Sequence, residues 1–378
     1  MKLKDFATIN MGQSPKGETY NTDGNGMPFL QGRKTFGRIY PTIDTWTTNP
    51  IKTANKDEIL MSVRAPVGDM NFANQEICIG RGLCSINAQN GRNKYLYYML
   101  LNSMNTLKQK STGTVFDSIN RNDLENLEIN FHSEEEQEKI ENLLGNIDAK
   151  IELNNEINNN LFEVLLNDFN DFLDKNTYSE MVKLEDCVEK INTGADAIQR
   201  APIVDYDTGI RCIRIGDMTN GRDYHSWGFT KMTDKDFENY KLIRNDIVIT
   251  RTAVNGLTYM ITDEENTVCN NGNIRLRVNN KYNPLYIYLN TKTKDFRNYI
   301  DRINSETSVR PNMKVEYFTS YEIKKIDLEK QNDFCNRAES IMKKIQNNKV
   351  ENYNLEQLRD TLLPRLINGE IDLDNLEI

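Results

Sequence analysis

Only two histidines occur in the 378 residues, and the six cysteines (Cys78, Cys84, Cys187, Cys212, Cys269, Cys335) are scattered with no Cys-x-x-Cys pair. Zinc sites and secreted disulfide frameworks both need closely spaced cysteines or histidines, so neither is expected, and no metal ligand is assigned. No run of 18 or more apolar residues exists, and Met1-Lys2-Leu3-Lys4-Asp5 opens the chain without an apolar signal core. The expectation is a soluble, cytoplasmic protein. A Gly-rich phosphate loop is missing, as is the Asp- or Asn-Pro-Pro-aromatic motif of amino-methyltransferases. No catalytic residue can therefore be named.

What is present is a duplication. Lys2-Leu3-x-Asp5 recurs as Lys183-Leu184-x-Asp186, and Pro28-Phe29-Leu30-x-Gly32 has a looser echo in Arg211 to Asp217. Asp57 to Arg64 returns as Asn245 to Arg251 with one residue lost before the arginine, and Tyr95-Leu96-Tyr97-Tyr98 faces Leu285-Tyr286-Ile287-Tyr288. Gln137, Ile147, Ile151, Asn154 and Leu161 match Gln331, Ile341, Ile345, Asn348 and Leu355 at one constant offset. A repeat of half the chain describes two similar modules with pseudo-two-fold symmetry, not a solenoid. One half-motif fails this comparison: Glu322-x-Lys324, which resembles part of a nuclease site, is Glu128-x-Asn130 in the other copy.

The net charge of −9 is unevenly spread. Residues 1–130 hold 15 basic and 12 acidic side chains, 131–180 hold 3 and 13, 181–325 hold 22 and 20, and 326–378 hold 7 and 11. The acid sits in the helical stretches, and the two large modules are mildly basic; local charge, not the total, decides what a surface binds.

Ser133-x-x-Glu136 is a capping-box signature before a long periodic run. Ile140, Leu144, Ile147, Ile151, Asn154, Ile157, Leu161, Val164 or Leu165 and Phe169 form a heptad seam of roughly 36 residues, about 54 Å long. The second copy reads Phe334, Ala338, Ile341, Ile345, Asn348, Leu355, Leu358 and Leu362, with Pro364 expected to end or kink the helix and Gly369 to cap it. Asn154 and Asn348 share one seam position near mid-helix. In an antiparallel pair the two amides can meet and fix register, and these helices are also the expected docking surface for protein partners.

Each module opens with a short strand and a polar loop, Gly12-Gln13-Ser14-Pro15-Lys16-Gly17 or Thr193-Gly194-Ala195-Asp196. Strands follow at Glu58 to Val63, Ile77 to Ile79, Asp246 to Thr250 and Ile274 to Val278, then a helix at Tyr95 to Leu107 or Leu285 to Ile300. The fold class is α+β with mixed sheets: target module 1–130, helix 131–178, target module 179–325, helix and tail 326–378. Basic and polar residues cluster at strand ends and loops. They are Gln13, Ser14, Lys16, Arg33, Lys34, Arg38, Ser62, Arg64, Arg81 and Thr114 in module one, and Arg211, Arg214, Arg222, Thr250, Arg251, Asn270, Arg275 and Arg310 in module two. Such side chains hydrogen-bond base edges or hold phosphates, so double-stranded DNA is the expected ligand. Arg64 and Arg251 stand out because they follow equivalent strands.

The segment Ser111 to Ile129, with Glu135-Glu136-Gln137-Glu138-Lys139-Ile140 and Asp148-x-x-Ile151, closely resembles the end of a target-recognition domain entering the helix of the specificity subunit of type I restriction-modification enzymes. Leu362-Leu363-Pro364-Arg365-Leu366-Ile367-Asn368-Gly369-Glu370-Ile371 resembles that family's C-terminal signature. Phe131-His132-Ser133 replaces the usual proline-rich helix entry, and Glu329-Lys330-Gln331 stands where Glu-Glu-Gln is usual. The resemblance implies that each module reads half of a bipartite DNA site and that the helices form an antiparallel coiled coil acting as a ruler. It further implies two docked methyltransferase subunits using S-adenosylmethionine to methylate adenine, and two translocase-nuclease subunits using ATP and magnesium, with no cofactor on this chain. The competing readings are a self-sufficient DNA methyltransferase or nuclease remnant, and a coiled-coil interaction protein with no DNA role.

Overall fold

The computed structural model describes residues 1–110, 118–129, 131–176, 180–306 and 312–373. The chain forms two compact units, Met1–Ile151 with Asn354–Ile378, and Glu152–Tyr353. Each contains one target module and a stretch of both long helices.

In the first unit an antiparallel sheet runs in the order Ala7–Met11, Leu83–Ala88, Ile59–Ser62, Met70–Phe72. A second sheet joins Met27–Leu30 to Ile77–Ile79 in parallel, with short antiparallel strands on either side. Ile59-Leu60-Met61-Ser62 is apolar along its length because both its faces are covered. Alternation sends Ile59 and Met61 into the core against helix Asn93–Lys110, and Leu60 into a smaller core with Leu30, Ile77 and Ile79. The second unit repeats the plan: Val188–Thr193, Asn273–Val278, Ile247–Thr250, Thr258–Met260 in one sheet, and a parallel pair, Arg211–Ile213 with Thr267–Cys269, in the other. Here Ile247 and Ile249 face one core and Val248 the other. The expected α+β class with mixed sheets and long helices is what the structure has.

One helix differs from expectation. Leu285 to Ile300 is two helices, Pro284–Asn290 and Lys294–Glu306. Threonines cause the break: the Thr291 hydroxyl donates to Tyr288 O (2.6 Å) and that of Thr293 to Asn290 O (2.8 Å), while Thr293 Oγ1 accepts from Phe296 N–H (3.3 Å).

The long helices span Glu134–Lys175 and Leu328–Ile367. Ser133 and Glu136 form the capping box, with Glu136 Oε2 accepting from Ser133 N–H at 2.8 Å and Ser133 Oγ accepting from Glu136 N–H at 3.3 Å. Bonds from the Ser133 hydroxyl (2.8 Å) and from its N–H hold the Glu136 carboxyl below its ordinary range. In the first unit Ile140 and Leu144 share a core with Leu363, Leu366 and Ile367, and Asp148 accepts from Arg359 (2.8 Å) and the Tyr98 hydroxyl (2.7 Å). In the second unit Leu165 and Phe169 pack with Phe334, Cys335 and Ala338. Leu165, not the exposed Val164, carries the seam, and Leu358 points outward while Leu363 and Leu366 are buried. Pro364 does not end its helix, which runs three residues further and closes at Gly369, whose φ of +72° is readily adopted without a Cβ.

Asn154 and Asn348 are both buried but do not meet. Asn154 Nδ2 donates to Asn352 Oδ1 (2.9 Å), and Asn348 Nδ2 to Asn158 Oδ1 (2.8 Å). The repeat offset relates Asn158 to Asn352 as it does Asn154 to Asn348, so each sequence-matched amide bonds the other copy's partner one turn away. Within this unit the two helices therefore run antiparallel.

Candidate nucleic-acid interface

The end of each module's parallel strand pair brings four chain segments together. In module one Gly12 N–H donates to Leu83 O, Gln13 N–H to Ile79 O, Gly80 N–H to Leu30 O and Val63 N–H to Gly82 O, all at 2.8 to 3.0 Å. In module two Gly194 N–H donates to Asn273 O (3.0 Å), Ala195 N–H to Cys269 O (2.8 Å) and Arg251 N–H to Gly272 O (2.9 Å). Only glycine fits the crossing point: a Cβ on Gly12 would sit 2.2 Å from Gly80 O, and one on Gly194 2.3 Å from Asn270 O.

The hairpin beside this edge recurs as well. Ser62 Oγ accepts from Asp69 N–H, and Thr250 Oγ1 from Leu257 N–H, both at 3.0 Å, with Gly68 (φ +87°) and Gly256 (φ +81°) completing the turns. Arg64 bridges Ser118 and Thr252 bridges Asn312; Ile119 N–H donates to Val63 O and Met313 N–H to Arg251 O. Arg64 thus corresponds to Thr252, and Arg251 to Val63. No residue is lost before the arginine, and one step along a strand reverses the side-chain face.

The sequence-derived residues divide by what they touch. Around a groove of about 730 Å³ in module one, the structure gathers Ser14, Lys34 and Arg81 with the stacked rings of Tyr20 and Phe29 (4.7 Å). Gln13, Lys16, Arg33 and Arg64 are exposed, with Arg33 paired to Asp69 and Lys16 to Glu18 (3.9 Å). Exposed ion pairs of this kind stabilise by about 0–1 kcal/mol and yield readily to a phosphate. Arg38 instead faces its unit's helices, 3.6 Å from Asp148 and 3.7 Å from Glu356.

In module two several arginines of the sheets turn inward. Arg275, 2 % exposed, donates to Asn192 Oδ1 (2.7 and 3.0 Å), Lys241 O (2.7 Å) and Asn239 O (3.3 Å), and burial lowers its pKa. Neighbouring Arg277 grips the fully buried Asp246 with two bonds of 2.7 Å, which raise its pKa. Arg211 donates to Trp227 O (2.7 Å) and lies over Phe229, and Arg214 donates to Cys212 O (3.2 Å) and Gly228 O (3.3 Å). Arg251 donates to Asn312 Oδ1 (2.6 Å), and Arg222, more exposed, approaches Asp217 at 3.4 Å. Asn270 is half-buried and accepts from Asn273 Nδ2 (3.2 Å). Burial makes Arg275, Ser62 and Thr250 parts of the scaffold. Thr114 and Arg310 lie outside the described residues. Sequence reasoning passed over Gln31 and Asn271, which sit on the edge itself; placing both modules' loops in one register would have found them. Among the described residues no group of histidines, cysteines and carboxylates could hold a metal ion, and no helix is long and apolar enough to cross a membrane.

Residues 1–163 match the family described as the type I restriction modification DNA specificity domain. A putative MjaX specificity subunit of a type I restriction enzyme from Methanocaldococcus jannaschii is 42% identical over 150 residues, 39% of this chain and 35% of that relative. The MjaIX specificity subunit of the same organism is 25% identical across 99% of this chain and 94% of its own length. Over residues 1–163 the chain resembles type I specificity subunits. The solved S subunit from M. genitalium shares the fold, with 17% identity, a TM-score of 0.53, and coverage of 97% of this chain and 95% of that one. The match to the first of these relatives takes in about a third of that protein's length.

Proposed function

We propose that this specificity subunit reads a bipartite DNA site, one half with each module, and positions catalytic subunits without catalysing a reaction itself. The supporting observation is the doubled edge: one backbone scaffold, held by the same hydrogen bonds in both modules, carries Ser14, Gln31 and Arg81 in the first and Asp196, Arg214 and Asn271 in the second. A shared frame with different side chains suits two different half-sites. The long helices supply spacing and a docking surface for two methyltransferase subunits, which bring S-adenosylmethionine and methylate adenine. Two translocase-nuclease subunits, with ATP and magnesium, complete a restriction-competent complex.

A duplex-binding titration tests this reading. The expected result is a two-part sequence preference whose affinity falls with salt by roughly 0.9 log unit per log unit of salt for each phosphate contacted. Indifference to sequence, even with a methyltransferase subunit present, would count against it. Adding one heptad to both helices is expected to lengthen the unread spacer and leave both half-sites unchanged, as read by mapping methylated adenine genome-wide.

A further inference from the structure

We infer that Gln31 is a base-reading side chain of module one and that it reads an adenine edge in the major groove, an inference that rests on the specificity-subunit reading above. Gln31 is exposed directly after strand Met27–Leu30. Its backbone is clamped: Gly82 N–H donates to Gln31 O (3.2 Å), and a Cβ on Gly80 or Gly82 would lie 2.9 Å from Gln31 Cα or 2.7 Å from Gln31 O. The side chain is oriented as well. Arg81 N–H donates to Ser14 Oγ (3.2 Å), and the Ser14 hydroxyl donates to Gln31 Oε1 (3.0 Å).

That relay sets which end of the amide is which. Ser14 Oγ accepts from the backbone and spends its own hydrogen on Oε1, so that end of the amide faces Ser14. The Nε2 hydrogens and the second lone pair of Oε1 stay available. A donor and an acceptor side by side on a planar amide match adenine N7 and N6, the bidentate pairing of the major groove. Lys34 and Arg81, on the same groove, are placed to hold phosphates. Module two does not repeat the arrangement. Arg214, at the equivalent strand end, is spent on main-chain carbonyls, and Asp196, in the place of Ser14, accepts from Ile198 and Gln199 N–H and from Asn271 Nδ2.

The test is selection of a randomised duplex library by the full chain at fixed salt, followed by sequencing. Wild type is expected to return a two-part motif with an adenine in the half read by module one. Gln31→Leu should lose discrimination at that one A·T pair by roughly tenfold or more and leave the other half intact. Ser14→Ala should relax the same pair less, with recovery in Ser14→Thr, and Arg81→Ala should weaken all sequences alike. A Gln31→Leu motif identical to wild type, or a change at a pair other than A·T, overturns the assignment. Absence of any two-part motif in wild type overturns the specificity reading, a different result from a motif that ignores Gln31.

Discussion

Around its edge module one turns arginine outward where module two turns it inward. Arg64, Arg81 and Lys34 stand exposed around the first edge, whereas Arg211, Arg214, Arg275 and Arg277 are tied to carbonyls, an amide and a buried carboxylate in the second. Around the edge, the module richer in arginine is thus not the one that leaves more guanidinium groups exposed. Guanidinium groups are the only side chains with five donors in a fixed fork, which lets one Arg275 close several carbonyl ends at once. Counting basic residues measures both uses together, and only burial separates them.

The largest expected effect comes from that contrast. Arg275→Leu takes the donor away from Asn192 Oδ1, Lys241 O and Asn239 O at once, and should lower stability by about 3 kcal/mol. Arg81→Ala should stay within about 0.5 kcal/mol, because its side chain is on the surface. Urea denaturation of the full chain measures both; equal losses would erase the distinction between a buried arginine and an exposed one. Next in size are Gly12→Ala and Gly194→Ala, each driving a methyl into a backbone carbonyl, at about 2 kcal/mol apiece. Losses differing by more than about 1 kcal/mol would show that the shared crossing point is not equally tight in the two modules.

The remaining effect depends on pH. Burial lowers the Lys292 ammonium to about 8, although it donates to Thr258 O at 2.6 Å. Between pH 8 and 10 the unfolded chain keeps this proton while the folded one releases it, so stability from this group rises with pH, by at most about 1.4 kcal/mol per unit. The repeat places Asn102, which has no charge to lose, at the matching position in module one. Lys292→Met should remove the rise and raise stability below pH 8, as read from urea midpoints at pH 7 to 10. An unchanged slope would show that Lys292 stays protonated in the folded protein.

Much of this architecture was legible in sequence. Buried strands such as Ile59 to Ser62 reveal themselves as apolar runs, and Ser133 with Glu136 marks a helix start, because both signals are local. The Arg64 and Arg251 correspondence was not legible, since a gap can be placed one residue either way in a one-dimensional comparison and only the ladder hydrogen bonds decide. The break at Thr291 to Thr293 was hidden by apolar spacing that suits one helix as well as two. Arg275 reads like any strand-end arginine until Asn192 is known to lie across from it. At Pro364 the helix persists because the residues on either side are anchored in the core, which outweighs one missing hydrogen bond.

The first unit is assembled from two distant stretches of chain, and the second from one continuous stretch. On the ribosome every residue of the second unit emerges before the core around Ile140 and Leu144 meets Leu363, Leu366 and Ile367. A chain ended near residue 353 would retain the whole second unit and leave an apolar wall of the first bare. Such a fragment exposes a surface prone to association, whereas one beginning at residue 152 and ending at 353 does not lose that contact. The order of synthesis therefore makes the turns around Leu363 to Ile367 the step that closes the first unit.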